Sequence, residues 1–291
     1  MTTQPGLLEE PLPSRHYLEY RLRAGTDAGA LRAALAQLPP AADGLQRVVA
    51  LGPAALALLG TGIELEPFAD LAGPEHRAPA TQRDVWVGLA AAGVDDVFDA
   101  VRATHRALAD VAELELDLRG FDYHDSHDLI GFVDGTANPK DEKAVAAAVI
   151  ADGPGAGGSV LFTQQWVHDM AAFEALPVEA QEQVVGRTKA DDVELEGDAM
   201  PADSHVSRTD VKVDGVAQKI LRRSSPYGDA TEHGLYFVAY TCERSRVQVQ
   251  LERMYGVAGD GLQDRLLGFS RAVNGSYWFA PSVEDLARWT G

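Results

Sequence analysis

ELELDL, residues 113–118, alternates without a break, with Leu114, Leu116 and Leu118 set against Glu113, Glu115 and Asp117. A period of two over this length is the pattern of a half-buried β-strand. Just upstream, Val94, Val97, Phe98, Val101 and Leu108 mark the apolar stripe of a helix over about residues 94–109. DVWVGLA (84–90) and RVVALG (47–52) read as strands. Before them, Leu31, Ala34, Leu35 and Leu38 recur at helical spacing, with Asp27 as N-cap and Pro39-Pro40 as the stop. YLEYRL (17–22) alternates again and opens the series. The order strand, helix, strand, strand, helix, strand is ferredoxin-like: an antiparallel sheet with two helices on one face.

The chain beyond ELELDL repeats the scheme. SVLFTQQ (159–165) leads into WVHDMAAFEAL (166–176) as strand and then helix. AQKILRR (217–223) and GLYFVAYT (234–241) read as strands, Val247, Leu251 and Met254 as the stripe of the next helix, and SYWFAP (276–281) as the closing strand. The predicted fold class is therefore α+β: two ferredoxin-like domains, 1–125 and 126–291, in a dimeric α+β barrel-like arrangement. Residues 53–83 and the longer polar stretch 177–216 fall outside this pattern, and loops of that length inside a domain usually serve function.

Composition narrows the function. A net charge of −19 over 291 residues leaves no broad basic surface, which excludes nucleic acid held through its phosphates and disfavours anionic membranes. Cys242 is the only cysteine, so neither an intrachain disulfide nor a thiolate metal cluster can form. MTTQPGLLEEPLPSR lacks a basic segment followed by an apolar run, and no apolar stretch reaches the ~20 residues of a membrane-spanning helix. The expected compartment is the cytoplasm.

Several stretches carry polar side chains in turn-forming context. GFVDGTANP (131–139) sets Asp134 between Phe132-Val133 and Gly135, in a turn where a carboxylate can be partly desolvated. FDYHDSHD (121–128) gathers His124 and His127 with Asp122, Asp125 and Asp128; a metal site can be drawn from these donors, and a polar turn explains them as well. His105 and His168 are placed on helices, His105 on the apolar face. GPGAGGS (153–159) precedes a strand instead of following one, so it is a linker and not a dinucleotide fingerprint. In ILRRSSPYGDA (220–230) two arginines end an apolar strand before a Ser-Ser-Pro-Tyr-Gly turn; they are either solvated or turned inward toward Asp134 or an anion.

FDYHDSHDLIGFVDGTANP, with QQWVHDMAAF, GRTKADDVEL, DSHVSRTD and ILRRSSPYG, resembles the signature of the dye-decolorizing peroxidases, and the compact length is similar to their bacterial B subclass. The resemblance runs from about residue 84 onward. It implies haem b (iron protoporphyrin IX) in the second domain, with His205 as the axial ligand of the iron, Asp134 and Arg222 as the distal pair, and Ser224 at a distal position where some relatives carry asparagine. Arg222 is preferred to Arg223 because the family's arginine stands four residues before the Pro-Tyr-Gly turn. It further implies Gly135 and Thr136 beside the cofactor and Arg208 as partner of a haem propionate. The activity implied is reduction of hydrogen peroxide through a ferryl intermediate, with dyes, phenolic compounds or Mn(II) as electron donor. A haem-binding, iron-releasing protein with little turnover is the alternative from another class. Some relatives are cargo of protein nanocompartments through a C-terminal extension. This chain ends at DLARWTG, directly after the last predicted element, so a free cytoplasmic protein is expected, with homo-oligomerisation open.

Overall fold

The computed structural model describes residues 1–291. Its centre is a closed barrel of eight antiparallel strands: β1 (Ser14–Leu22), β2 (Leu45–Leu51), β3 (Val85–Ala91), β4 (Ala112–Phe121), β5 (Ser159–His168), β6 (Ser225–Gly228), β7 (His233–Thr241) and β8 (Ser276–Ala280). Around the barrel the order is β4-β1-β3-β2-β8-β5-β7-β6, and β6 returns to β4. The first four strands and the last four each form a ferredoxin-like sheet. The two sheets meet at two thin seams, the single register pairs Tyr227↔Gly120 and Phe279↔Leu51.

The helices cover the outside of the barrel. α1 (Ala28–Ala36) is capped by Asp27, whose side chain accepts from the Ala30 amide, and packs with α2 (Val94–Leu108) on the first sheet. The buried stripe of α2 is Val97, Ala100, Val101, Thr104 and Leu108; Val94, Phe98 and His105 face outward, so the expected apolar face is rotated and His105 is not a core residue. On the second sheet lie α3 (Met170–Glu174), α4 (Val178–Val185), α5 (His205–Thr209) and α6 (Arg244–Met254), and α7 (Val283–Thr290) packs beside α1.

Closure explains why both faces of the strands are buried. In β1, Leu18 and Tyr20 join the helix-covered core, while Tyr17 and Glu19 point into the barrel with Trp86, Tyr236 and Trp278. The strand that decided the fold is less regular than its alternation. Glu19 pairs with Leu116 and Tyr20 with Leu114, so Glu115 is an extra, bulged residue. The bulge sends Leu114 to the helix layer and Leu116 and Leu118 to the barrel interior. Glu115 itself bonds Arg21 and Arg83.

Two expected boundaries move. β5 continues through His168, so Trp166–His168 are strand and not helix. Ser-Ser-Pro-Tyr-Gly is not a turn: Leu221–Arg222 and Ser225–Gly228 lie along the same edge of β7 in one register, with Arg223 donating its amide to the Val238 carbonyl between them. The strand thus places Arg222 and Arg223 on opposite faces of the sheet, one toward the outer helices and one toward the barrel.

Candidate active site

Between the outer face of the second sheet and helices α4, α5 and α6 lies a cavity of about 230 Å³. Its walls are largely apolar, among them Phe132, Ile220, Leu235, Phe237, Leu251 and Met254, with a few convergent polar groups. The long polar stretch 177–216 is what closes it. That stretch folds into α4, a bridge between Arg187 and Glu194, and α5, and it contributes Val185, Arg187, Glu194 and His205 to the wall.

His205 is the first residue of α5, behind Ser204 as N-cap. Its Nδ1 lies 2.7 Å from Oδ2 of Asp264, a side chain with 0% exposure whose other oxygen accepts the Leu266 amide at 2.9 Å. With Nδ1 committed to that carboxylate, Nε2 is the nitrogen left to act as a donor in the cavity.

Asp134 and Arg222 meet in the same cavity. The turn carrying Asp134 needs positive φ at Gly131 (+87°) and Gly135 (+95°), which glycine alone adopts freely. The Asp134 amide is tied to the Ser126 carbonyl, and Asn138 bridges the turn to the strand by exchanging two 2.9 Å hydrogen bonds with the backbone of Arg222. Arg222 Nε is buried, makes no hydrogen bond, and sits 3.5 Å from Asp134 Oδ1. Both side chains keep about a quarter of their exposure, 23% for Arg222 and 25% for Asp134, which leaves them accessible to a small reactant.

The other expected residues divide. Thr136 lines the cavity and bonds Asp192, whereas Gly135 does not reach the wall. Ser224 shares the strand face of Arg222 and is buried without lining the cavity, its Oγ without a partner and its carbonyl taken by Arg15. Arg208 is 1% exposed and spends most of its guanidinium on Asp260 and the Arg253 carbonyl, so it braces α5 against α6, and it does not line the cavity. His124 and its neighbours Asp125 and Ser126 all take positive φ in a tight turn, and His127 bonds the His124 carbonyl.

Known proteins agree with this architecture. The family profile "Dyp-type peroxidase, N-terminal" matches residues 15–122, and "Dyp-type peroxidase, C-terminal" matches residues 125–285. The chain belongs to the Dyp-type peroxidase family. It is 38% identical over 250 residues to the dye-decolorizing peroxidase of Mycobacterium tuberculosis, covering 83% of this chain and 75% of that one. Among solved structures, the encapsulated DyP-type peroxidase from Mycobacterium smegmatis superposes with a TM-score of 0.92 at 33% identity over 98% of both chains. A variant of DypB from Rhodococcus jostii in complex with heme superposes at 0.91, with 33% identity over 97% of both.

The residues of this Dyp-type peroxidase fit a haem. An apolar slot offers one imidazole nitrogen held in orientation from behind, and elsewhere on its wall a guanidinium with an unpartnered buried Nε beside a carboxylate. Two features escaped the sequence reading. Asp264 lies 59 residues from His205, in a stretch whose only visible signal is a helix cap. His168, read as a helical residue, ends β5 on the cavity wall, with Nδ1 2.7 Å from Ser270 Oγ and Nε2 3.1 Å from Asp128 Oδ1.

Proposed function

We propose that the cavity binds haem b with His205 as axial ligand, and that Asp134 and Arg222 act on hydrogen peroxide on the opposite side. The observation that carries this reading is the convergence, in one apolar slot, of an imidazole backed by a buried carboxylate with an acid and a guanidinium. A haem held there would supply the two electrons that cleavage of the O–O bond requires, to be regained from the donor substrate.

The chain's own residues supply the rest. Asp264 fixes the tautomer and orientation of His205 and makes the ring a stronger donor. Asp134 takes a proton from one peroxide oxygen and returns it to the other, which leaves as water. Arg222, charged at every working pH, stabilises negative charge developing on the departing oxygen. The apolar walls Phe237, Leu235 and Ile220 exclude bulk water, which strengthens both effects.

Dyes, phenolic compounds and Mn(II) are the donor classes we infer, with the net charge of −19 favouring cations over anionic dyes. No helix is long and apolar enough to cross a membrane, and we place the chain in the cytoplasm, with encapsulation as in the Mycobacterium smegmatis relative an open arrangement. The iron-releasing alternative is not favoured, because removing iron from a porphyrin has no use for an acid and guanidinium pair.

The test is spectroscopic and kinetic. Purified holoprotein should show a Soret band that shifts on mixing with hydrogen peroxide and should turn over an anthraquinone dye. His205→Ala should lose most of the pigment and its ligation signature. Unchanged pigment and coordination in that variant would overturn the assignment.

A further inference from the structure

The turn that carries Asp134 is one end of a small hairpin, and the other end is held by a side chain with no part in the peroxide chemistry. Across residues 126–134 the Asp134 amide donates to the Ser126 carbonyl, His127 pairs with Val133, and the Asp128 amide donates to the Phe132 carbonyl. The tip closes on Asp128, with the Gly131 amide 2.9 Å from its carbonyl and the Ile130 amide 3.1 Å from its Oδ1. Asp134 therefore stands two pairs along from Asp128, about 7 Å at the rise of a strand, and moves with it.

The hairpin does not support itself. His124, Asp125 and Ser126 enter it with φ of +41°, +55° and +68°, a left-handed run that persists only where the surroundings dictate it. Two anchors do so: Asn138, bonded to the backbone of Arg222, and His168, at the end of β5. The His168 side chain is 4% exposed and lies on the cavity wall. Its Nδ1 is 2.7 Å from Oγ of Ser270, its register partner in the neighbouring strand Ser270–Ala272. Its Nε2 has no hydrogen bond and faces Asp128 Oδ1 at 3.1 Å, and the Asp128 side chain is itself only 13% exposed. A bare lone pair would be repelled by a carboxylate at that distance, so Nε2 carries a proton and attracts Asp128 by charge, in a site with little water to screen it. Lys189, the other cation at the tip, is occupied by Gln181 Oε1 and the Phe132 ring.

We propose that His168 is a positioning residue for Asp134: through Asp128 it fixes the 126–134 hairpin to the barrel, and with it the place of the Asp134 carboxylate beside Arg222. This role rests on Asp134 as the carrier of the peroxide proton. A base must stand within hydrogen-bond reach of the proton it takes, and a displacement of about 1 Å is enough to cost a large factor in rate. Ser270 holds the ring, the ring holds Asp128, and the paired backbone from 128 to 134 transmits the constraint.

Hydrogen cyanide is the probe, mixed with full-length holoprotein and followed by the Soret shift. It arrives as the neutral acid and must give up its proton before it ligates iron, so its association rate reports whether the base is in reach. His168→Ala should slow association by about tenfold, as Asp134→Asn should, and the double variant should be no slower than Asp134→Asn alone. His168→Gln, whose amide nitrogen falls where Nε2 stands, should recover most of the rate. His168→Asn, which reaches only the place of Nδ1, should not. Hydrogen exchange over residues 126–134 of the same holoproteins should quicken in the Ala and Asn variants and stay at the parental level in His168→Gln. Additive losses in the double variant, an unslowed His168→Ala, equal rates for the Gln and Asn variants, or unchanged exchange over 126–134 would each overturn the positioning role. An unchanged cyanide rate in Asp134→Asn would overturn the proton-carrier reading alone, and the exchange over 126–134 would still decide whether His168 fixes the hairpin.

Discussion

His205 and Asp264 form a closed pair: Nδ1 of the ring lies 2.7 Å from a carboxylate oxygen with no solvent contact, and the second oxygen of that carboxylate is held by the Leu266 amide. The imidazole therefore cannot rotate without breaking a buried hydrogen bond, and the electron-donating strength of its free nitrogen is set by a charge behind it. Asp264→Asn keeps the shape and removes the charge. It should move the Fe(III)/Fe(II) midpoint potential of the holoprotein upward and weaken haem retention by about 10–100-fold, the usual effect of losing such a partner. Potentiometric titration and haem transfer to apomyoglobin measure the two, and an unchanged potential would show that the carboxylate is only a cap.

Arg222 and Asp134 stand 3.5 Å apart without a hydrogen bond between them, so neither consumes the other's capacity to meet peroxide. A guanidinium stabilises a departing oxygen at any pH, whereas a carboxylate is a modest base. Arg222→Leu should slow the stopped-flow reaction with hydrogen peroxide by about a hundredfold or more. Asp134→Asn should slow it less, by about tenfold. The reverse order would assign the dominant role to proton transfer.

The sequence carries the barrel more clearly than the site. Alternation in 17–22, 113–118 and 234–241 predicts strands that are there, because the period of two depends only on neighbours along the chain. The same alternation misleads at Leu114 and Leu116, since the bulge at Glu115 is decided by a register with β1 that no local pattern reports. Ser-Ser-Pro-Tyr-Gly reads as a turn, yet β7 captures it as a strand, tertiary pairing overriding local preference. The glycines flanking Asp134 do announce their positive φ. Arg208 shows the limit most plainly. Its place one turn after His205 is visible in the sequence, but that it is claimed by Asp260 depends on a contact 52 residues away.

Glu19 is 1% exposed inside the barrel, where one oxygen accepts from Tyr236 Oη at 2.5 Å and from Thr163 Oγ1 at 3.3 Å and the other bonds Arg83. Trp86 in turn donates to Tyr236 Oη at 2.9 Å. This network joins strands of both halves, and deleting Glu19 leaves Arg83 with Glu115 as its one carboxylate and the buried Tyr236 hydroxyl without its acceptor. Glu19→Ala should cost about 3–5 kcal/mol in urea unfolding. Glu19→Gln, which keeps an acceptor for Tyr236, should cost less. Equal losses for the two would mean that the charge contributes nothing beyond shape.

At the seam between β4 and β6, Gly120 faces Ser225. A Cβ on residue 120 would fall inside contact distance of Ser225 Oγ, 2.9 Å from its Cβ and 3.2 Å from the Tyr17 ring. Because Tyr227↔Gly120 is the only register pair there, little else can absorb the shift. Gly120→Ala should destabilise the protein by about 1–3 kcal/mol, and Ser225→Gly in the same chain should recover much of it. A double-mutant cycle without coupling would place the strain elsewhere.

Asp260 connects the site to pH. The hydrogen bond from Arg208 holds its carboxyl below the usual carboxylate range, and Arg208 is buried with no other carboxylate on its guanidinium. The folded state therefore binds fewer protons at Asp260 than the unfolded chain does. The pair's contribution to stability is complete above about pH 4, the unfolded value, and is lost as pH falls through the lower folded value. Asp260→Asn should consequently be less stable than the parent near neutrality, and its deficit should shrink as pH falls below about 4. Denaturant unfolding of both proteins across that range measures the difference, and a deficit of the same size at about pH 3 and about pH 7 would show that the Asp260 charge is not what stabilises Arg208.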